Sequence, residues 1–223
     1  MRGLPRIVYG SFALSIRAYQ RLFMDFHVWG REHIPKGPKI YVSNHISSID
    51  IYWTLAAFPE PVHFVLVPSY QFRRWGRVLD AFEMIRAMPG DARTLIASSV
   101  AYLKKGEAVG IAPEGDIYDP FHVAPLQPGV AAIYRRARVP IVPMALIAPK
   151  RCLREYPFRQ VIDGRVYRTV AALRGPSGIS FGEPCMPDLP DAPRKQQNEY
   201  LVNFLRERLQ SLADDARANK FWL

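Results

Sequence analysis

Residues 40–50, IYVSNHISSID, pass from a short β-branched run into a helix-like stretch through a compact polar segment. A strand over Ile40–Val42 followed by a helix over Ser48–Phe58 predicts the start of a β-α-β unit. Open α/β sheets place their ligand crevices beyond the carboxyl ends of their strands. The polar segment between this strand and this helix is therefore the first candidate for a functional site.

The same alternation of strands and helices continues to about residue 147. Further strands are predicted at 62–67, 82–85, 107–112 and 139–148, and further helices at 72–79, 93–105 and 130–137. Pro140 and Pro143 indicate that the last strand lies at an edge or that they stand at its ends. Because strands alternate with helices, the pattern predicts an α/β domain with a largely parallel sheet.

The remainder of the chain predicts a basic hairpin and a closing helix. Residues 150–174 carry seven basic residues, and Asp163-Gly164 between two apolar runs is a hairpin signal. A strand is predicted at 179–181, a proline-rich connector at 184–193 and an amphipathic helix at about 196–213. We divide the chain into an N-terminal interfacial helical segment, residues 1–31, and one domain, residues 32–223, with the basic insertion at about 150–174.

Composition narrows the class of partner. Lys and Arg outnumber Asp and Glu by 30 to 20, which predicts an anionic partner such as a phospholipid surface. No RNA- or DNA-binding signature is found, so we do not expect a nucleic acid partner. Cys152 and Cys185 are far apart and in no metal-ligand spacing, which predicts neither a disulfide framework nor a zinc site and suits a reducing, cytoplasmic compartment.

The first thirty residues are apolar and basic, but Arg17 and Arg21 interrupt the apolar run before the roughly 18 to 20 residues that a membrane span requires. We expect an interfacial helix instead. Its predicted apolar side comprises Leu14, Ile16, Tyr19, Leu22, Phe23 and Phe26, and its arginines for lipid phosphates are Arg6, Arg17, Arg21 and Arg31. A helix packed on its own domain is the alternative, and the two are compatible.

His45 and Asp50 are the candidate catalytic residues. An alcohol does not readily attack a thioester unless a base removes its proton, and a neutral imidazole within hydrogen-bond reach is suited to this. A carboxylate on the other ring nitrogen fixes the tautomer and stabilises the imidazolium that forms. Ser47-x-x-Asp50 is also an ordinary capping box, and a His-Asp pair at this spacing often arises by chance, so both interpretations stay open.

A second polar cluster, Pro113-Glu114-Gly115, follows the strand predicted at 107–112. Parallel strands would bring Glu114 to the same crevice as His45. On its own the cluster is better explained as a plain turn.

Together these blocks resemble the glycerolipid acyltransferases that acylate glycerol 3-phosphate and 1-acylglycerol 3-phosphate. The resemblance covers about residues 38–147: Asn44, His45 and Asp50 match the first block, Gly76 and Phe82–Arg86 the second, Pro113–Gly115 the third and Val139–Pro143 the fourth. It implies a mixed, largely parallel sheet flanked by helices, with an amphipathic membrane-surface helix at the N-terminus. It implies His45 and Asp50 as the catalytic pair, and Asn44, Arg86, Glu114 and Gly115 as substrate-binding residues.

The resemblance also implies a reaction. A fatty acyl group passes from acyl-CoA or acyl carrier protein, as co-substrate, to a hydroxyl of a lysophospholipid or related lipid, with 1-acylglycerol 3-phosphate as the first candidate acceptor. No metal and no other cofactor is expected, and the expected location is the cytoplasmic face of the cell membrane, as a peripheral or monotopic protein.

The departures from the family pattern concern acceptor binding. Asp116 and Ile117 stand where the family usually has Thr and an acceptor-binding Arg, and the lysine common after the second strand is absent from 67–70, VPSY. A phosphate-free lipid alcohol, such as an amino- or glycolipid, therefore stays an alternative acceptor.

Two other functions compete with acyl transfer. A Ser-His-Asp lipid hydrolase would require Gly-x-Ser-x-Gly after a strand, and Gly175-Pro176-Ser177-Gly178 has the wrong spacing. A non-catalytic protein that binds anionic lipid is the second alternative.

Overall fold

The computed structural model describes residues 4–67, 82–162 and 165–220. The helix predicted at 72–79, Gly76 of the second block and the Asp163-Gly164 turn lie outside these ranges.

Nine strands and five α-helices are found within the described residues. The strands are β1 Met24–Trp29, β2 Ile40–Ser43, β3 Val62–Leu66, β4 Ile85–Arg86, β5 Ala108–Ile111, β6 Ile141–Ile147, β7 Arg154–Ile162, β8 Arg165–Ala171 and β9 Gly175–Phe181. The helices are α1 Leu4–Phe23, α2 Asp50–Ala57, α3 Ala92–Lys104, α4 Gly129–Ala137 and α5 Arg194–Lys220.

Seven of the strands form one mixed sheet in the order β1-β9-β6-β2-β5-β3-β4. Each neighbouring pair is parallel except β6 and β9, which are antiparallel. The predicted mixed, largely parallel sheet is confirmed. Its parallel centre aligns the carboxyl ends of β2, β5 and β3 at one edge.

Helices cover both faces of this sheet, and β2 shows why. Tyr41 faces a core with α1 and α2, whereas Ile40 and Val42 face a second core with α3, α4 and α5. All three side chains are fully buried. Because successive side chains of a strand point to opposite faces, a continuous apolar run suits a strand that is buried on both sides.

The sequence misplaced several elements. The strand predicted at 82–85 begins only at Ile85, because Phe82 and Glu83 form a turn in which Glu83 has a left-handed φ of 54°. Residues 24–29, predicted as part of the N-terminal helical segment, form β1 and pair with β9. The closing helix is longer than predicted and spans Arg194–Lys220.

Pro143 lies inside the sheet and not at its edge, since β6 has β2 on one side and β9 on the other. The ladder with β9 begins at Met144, so Pro143 stands just beyond its end. The carbonyl of Pro143 there accepts a hydrogen bond from the N–H of Gly182 at 2.9 Å. The missing proline N–H therefore costs no ladder bond.

Strands β7 and β8 form the predicted antiparallel hairpin, separate from the main sheet. It is tied to the segment after β2: the N–H of Ser48 donates to the carbonyl of Val170 at 2.7 Å, and the N–H of Val170 donates to Ser48 Oγ at 3.1 Å. The basic insertion therefore packs beside the first block.

Helix α1 packs on the domain with one face and exposes a second apolar face. Tyr19 stacks on Trp53, with 5.6 Å between ring centroids, and Phe26 packs against the core. Both were predicted for the membrane side. The exposed apolar residues include Ile7, Leu14, Leu22 and Phe23.

The edge at the amino ends of the strands carries contacts between buried basic and half-buried acidic side chains. Lys39 is fully buried and pairs with Glu60. His63 lies 2.7 Å from Glu107 through Nε2 and 2.9 Å from the carbonyl oxygen of Glu83 through Nδ1. Both ring nitrogens of His63 have hydrogen-bond partners, so these pairs join the ends of the strands.

We expect Gly178→Ala to destabilise the protein by about 1–3 kcal/mol. A Cβ at Gly178 would lie 2.7 Å from the backbone oxygen of His27 and 2.6 Å from the ring of Trp29, so β1 would have to move away from β9. Chemical denaturation measures the loss. Gly10→Ala in α1 is the matched control, because its Cβ meets nothing within 4 Å, and it should leave stability unchanged or raise it.

Candidate active site

The segment between β2 and α2 holds His45 against Asp50. His45 Nδ1 lies 3.0 Å from Asp50 Oδ2, and the same oxygen accepts hydrogen bonds from the N–H groups of Ile46 and Ser47, each at 2.9 Å. Asp50 is buried, whereas about 26% of the His45 side chain is exposed. One carboxylate therefore fixes both the loop and the imidazole.

The capping-box interpretation of Asp50 is only half met. Asp50 accepts the expected bond from the Ser47 N–H, but α2 begins at Asp50 with Ile49 as its N-cap, and Ser47 Oγ accepts from the N–H of Ile49 at 3.3 Å and not from that of Asp50. The contact with the imidazole is additional. A carboxylate only accepts hydrogen bonds, so in the neutral imidazole Nδ1 carries the proton and Nε2 keeps its lone pair.

The surroundings of His45 favour its protonated form. Burial lowers the pKa of His45, but the hydrogen bond and charge of Asp50, with the charges of Glu114 and Asp116, outweigh it and raise the pKa above its ordinary value. An imidazolium formed during a reaction is therefore stabilised at this position.

Glu114 supports the loop. Its carboxylate accepts hydrogen bonds from the N–H of His45 and, at 2.7 Å, from the N–H of Ala124, and the side chain is buried. Desolvation raises the pKa of Glu114 to about 7, against the lowering effect of these two hydrogen bonds and of His45. Both carboxylate oxygens are used by backbone groups, so the structure favours a positioning role over the predicted substrate-binding role.

Asn44 and Gly115, also predicted to bind substrate, shape the site through the backbone. The Asn44 amide bonds both the N–H and the carbonyl of Leu146, at 2.7 and 3.0 Å, and so fastens the end of β2 to β6. Gly115 has φ of 75°, a left-handed conformation that favours glycine. Both residues line the cavity described next, but the Asn44 side chain is already engaged.

A cavity of about 240 Å³ opens beside His45. Its apolar lining includes Ile49, Ile51, Tyr52, Phe64, Val65, Leu66, Val67, Ile117 and Leu146, and its polar lining includes His45, Asp50, Thr54, Asp116, Arg168 and Thr169. A mostly apolar pocket with a few polar groups is the usual form of a small-molecule site.

Arg86, the remaining predicted binding residue, is exposed at the end of β4, where it pairs with Leu66. Leu66 lines the cavity, but Arg86 does not belong to the lining described here. Sequence reasoning in turn missed Arg168 and Thr169. These two residues reach the cavity because the hairpin contacts Ser47 and Ser48, which lie about 120 positions earlier in the chain. The only sequence signal for them was the basic composition of residues 150–174.

Comparison with known proteins identifies the family of the chain. Residues 25–147, more than half of the chain, match the acyltransferase family. The chain belongs to that family, and it is an acyltransferase enzyme.

The fold is similar to that of the 1-acyl-sn-glycerophosphate (LPA) acyltransferase PlsC from Thermotoga maritima. The TM-score is 0.72 at 19% sequence identity, over 100% of this chain and 86% of that one. At this identity the likeness shows a shared fold. No curated protein sequence matches the chain.

If His45 is the base that accepts the proton, we expect His45→Ala to lower kcat for acyl transfer by about 10²- to 10⁴-fold. Turnover of a labelled acyl donor measures this effect. His122→Ala is the matched control, since His122 is exposed and does not line the cavity. Retention of the wild-type rate by His45→Ala would show that another group is the base.

We expect kcat/KM to rise with pH, with a midpoint above the ordinary histidine value of about 6.5, because a raised pKa keeps His45 protonated to higher pH. Asp116→Asn removes a charge that raises this pKa, so it should move the midpoint to lower pH. The pH–rate profile measures the change. Asp119→Asn, which lies outside the cavity lining, is the control and should leave the midpoint in place.

Proposed function

We propose that this acyltransferase transfers a fatty acyl group from acyl-CoA or acyl carrier protein to a hydroxyl of a lysophospholipid, with 1-acylglycerol 3-phosphate as the first acceptor to test. The contact between His45 and Asp50 at an apolar cavity carries the proposal. Membership of the acyltransferase family supports it.

In the proposed reaction, His45 Nε2 takes the proton of the acceptor hydroxyl while the oxygen attacks the thioester carbonyl. The resulting oxyanion is stabilised by backbone N–H groups at the crevice. It collapses to the ester and expels the thiolate, which receives the proton from the imidazolium. Asp50 holds the imidazolium throughout. These reaction steps require neither a covalent enzyme intermediate nor a metal.

The cavity lining offers one surface for an acyl chain and another for the polar part of an acceptor. Apolar side chains such as Ile51, Phe64 and Leu146 provide a surface for an acyl chain. Asp116 in the same lining favours a second class of acceptor, a lipid alcohol with an amino group, because a carboxylate attracts an ammonium group.

We also propose that the protein works as a peripheral or monotopic protein on the cytoplasmic face of the cell membrane, with α1 on the lipid surface. Among the described helices, none combines the length and the apolar character that a membrane crossing requires. The exposed residues Ile7, Leu14 and Leu22 share one side of α1, while Arg6 and Arg21 are also exposed. Apolar residues beside arginines favour an anionic lipid interface.

The product of acyl transfer tests the enzymatic proposal. Purified protein is incubated with labelled acyl-CoA or acyl carrier protein and a panel of 1-acylglycerol 3-phosphate, other lysophospholipids, and amino- and glycolipid alcohols. We expect a labelled diacyl phospholipid that is absent with His45→Ala. Labelling of a phosphate-free alcohol alone would favour the second class of acceptor, and release of free fatty acid alone would contradict transfer.

We expect the double variant Leu14→Ser, Leu22→Ser to bind anionic phospholipid vesicles about tenfold more weakly. The variant lacks two apolar side chains that the wild type would transfer from water into the lipid. Co-sedimentation measures the binding. Met186→Ser with Tyr200→Ser is the control, because these exposed residues lie outside α1. Equal effects of the two double variants would contradict docking through α1.

A further inference from the structure

The β7–β8 hairpin is bonded directly to the loop that carries His45. Besides the two bonds between Ser48 and Val170, Ser47 Oγ donates to the carbonyl of Val170 at 3.2 Å, and Ser48 Oγ donates to the carbonyl of Arg168 at 3.4 Å. These contacts hold β8 at a fixed place beside the catalytic loop. Residues 168–170 are therefore a wall of the active site.

Arg168 is the one lysine or arginine among the described residues that line the cavity with His45. Ile117 supplies no charge to this lining, and Asp50 and Asp116 supply negative charge. The charge of Asp50 is met by three donors, from His45, Ile46 and Ser47. Asp116 would repel an anionic substrate, whereas Arg168 would attract one.

Arg168 is suited to bind an anion. Arg168 Nη1 lies 3.9 Å from Glu155 Oε2, and more than half of the Arg168 side chain is exposed. Such an exposed ion pair is weak and can be exchanged. A guanidinium group can bind a phosphate through two parallel hydrogen bonds. Glu155, at 3.9 Å, is too far from Arg168 to form such a pair of bonds.

We infer that Arg168 binds the phosphate group of a substrate beside His45. This inference rests on the proposed function and names a residue for it. The phosphate has two possible sources, the headgroup of a lysophospholipid acceptor and the phosphates of acyl-CoA. Both share the same chemistry, and kinetics with each substrate varied in turn distinguishes them.

The test compares wild type, Arg168→Ala, Arg168→Lys and the control Arg154→Ala. Arg154 is an exposed arginine of the same hairpin that lies outside the cavity lining, so its removal changes the net charge equally. KM is measured for the phosphate-bearing acceptor that the wild type uses best, beginning with 1-acylglycerol 3-phosphate, and separately for acyl-CoA. A phosphate-free acceptor, 1-acylglycerol, is measured in parallel.

We expect Arg168→Ala to raise one of the two KM values by about tenfold, with partial recovery in Arg168→Lys. A rise in the acceptor KM that is absent with 1-acylglycerol assigns the lipid headgroup. A rise in the acyl-CoA KM with either acceptor assigns the donor. Unchanged KM values, or a fall in kcat together with a lower melting temperature, would overturn the inference.

The two proposals fail in different ways. If the wild type transfers acyl groups but Arg168→Ala behaves like Arg154→Ala, the role of Arg168 is wrong and the enzymatic proposal stands. If the wild type acylates no acceptor in the panel, the proposed function itself is wrong.

Discussion

The rest of the site depends on one carboxylate oxygen, Asp50 Oδ2. It accepts hydrogen bonds from the imidazole of His45 and from two backbone N–H groups, of Ile46 and Ser47, at 2.9 to 3.0 Å. Three donors around one buried anion compensate for the water that it has lost. Because the ring and the loop share this anion, the position of the reactive group is coupled to the conformation of the backbone that carries it. The same oxygen therefore fixes both the conformation of the segment and the orientation of the imidazole.

The fold supplies the remaining constraints from two other strands, β5 and β6. Asn44 joins the end of β2 to Leu146 of β6, and Glu114, after β5, bonds the N–H of His45. These bonds form because parallel strands end at the same edge of a sheet, so that loops distant in sequence meet there. Polar side chains at this edge bond mostly to backbone groups. They position His45, while the cavity lining provides the surface for substrate.

The sequence predicted the centre of the fold well, because β2 and β6 are continuous apolar runs that only a sheet covered on both faces can bury. It misassigned Phe82–Met84, whose apolar character reflects core packing rather than a strand. The pair His45 and Asp50 was predictable because four blocks in order resemble the family, since the spacing of the two residues alone often arises by chance. The orientation of Tyr19 and the place of Arg168 were not, since each depends on contacts with residues more than thirty positions away in the chain.

The contact between the hairpin and the catalytic loop has a consequence for how such an enzyme can change. On the hairpin side, the four hydrogen bonds to Ser47 and Ser48 described above are made by main-chain atoms of Arg168 and Val170. Main-chain bonds persist whatever side chain the strand carries, so the hairpin can exchange its side chains while the loop keeps its geometry. Substitutions on β8 can therefore change substrate preference while the geometry around His45 is kept. This strand can thus vary in evolution independently of the loop that it contacts.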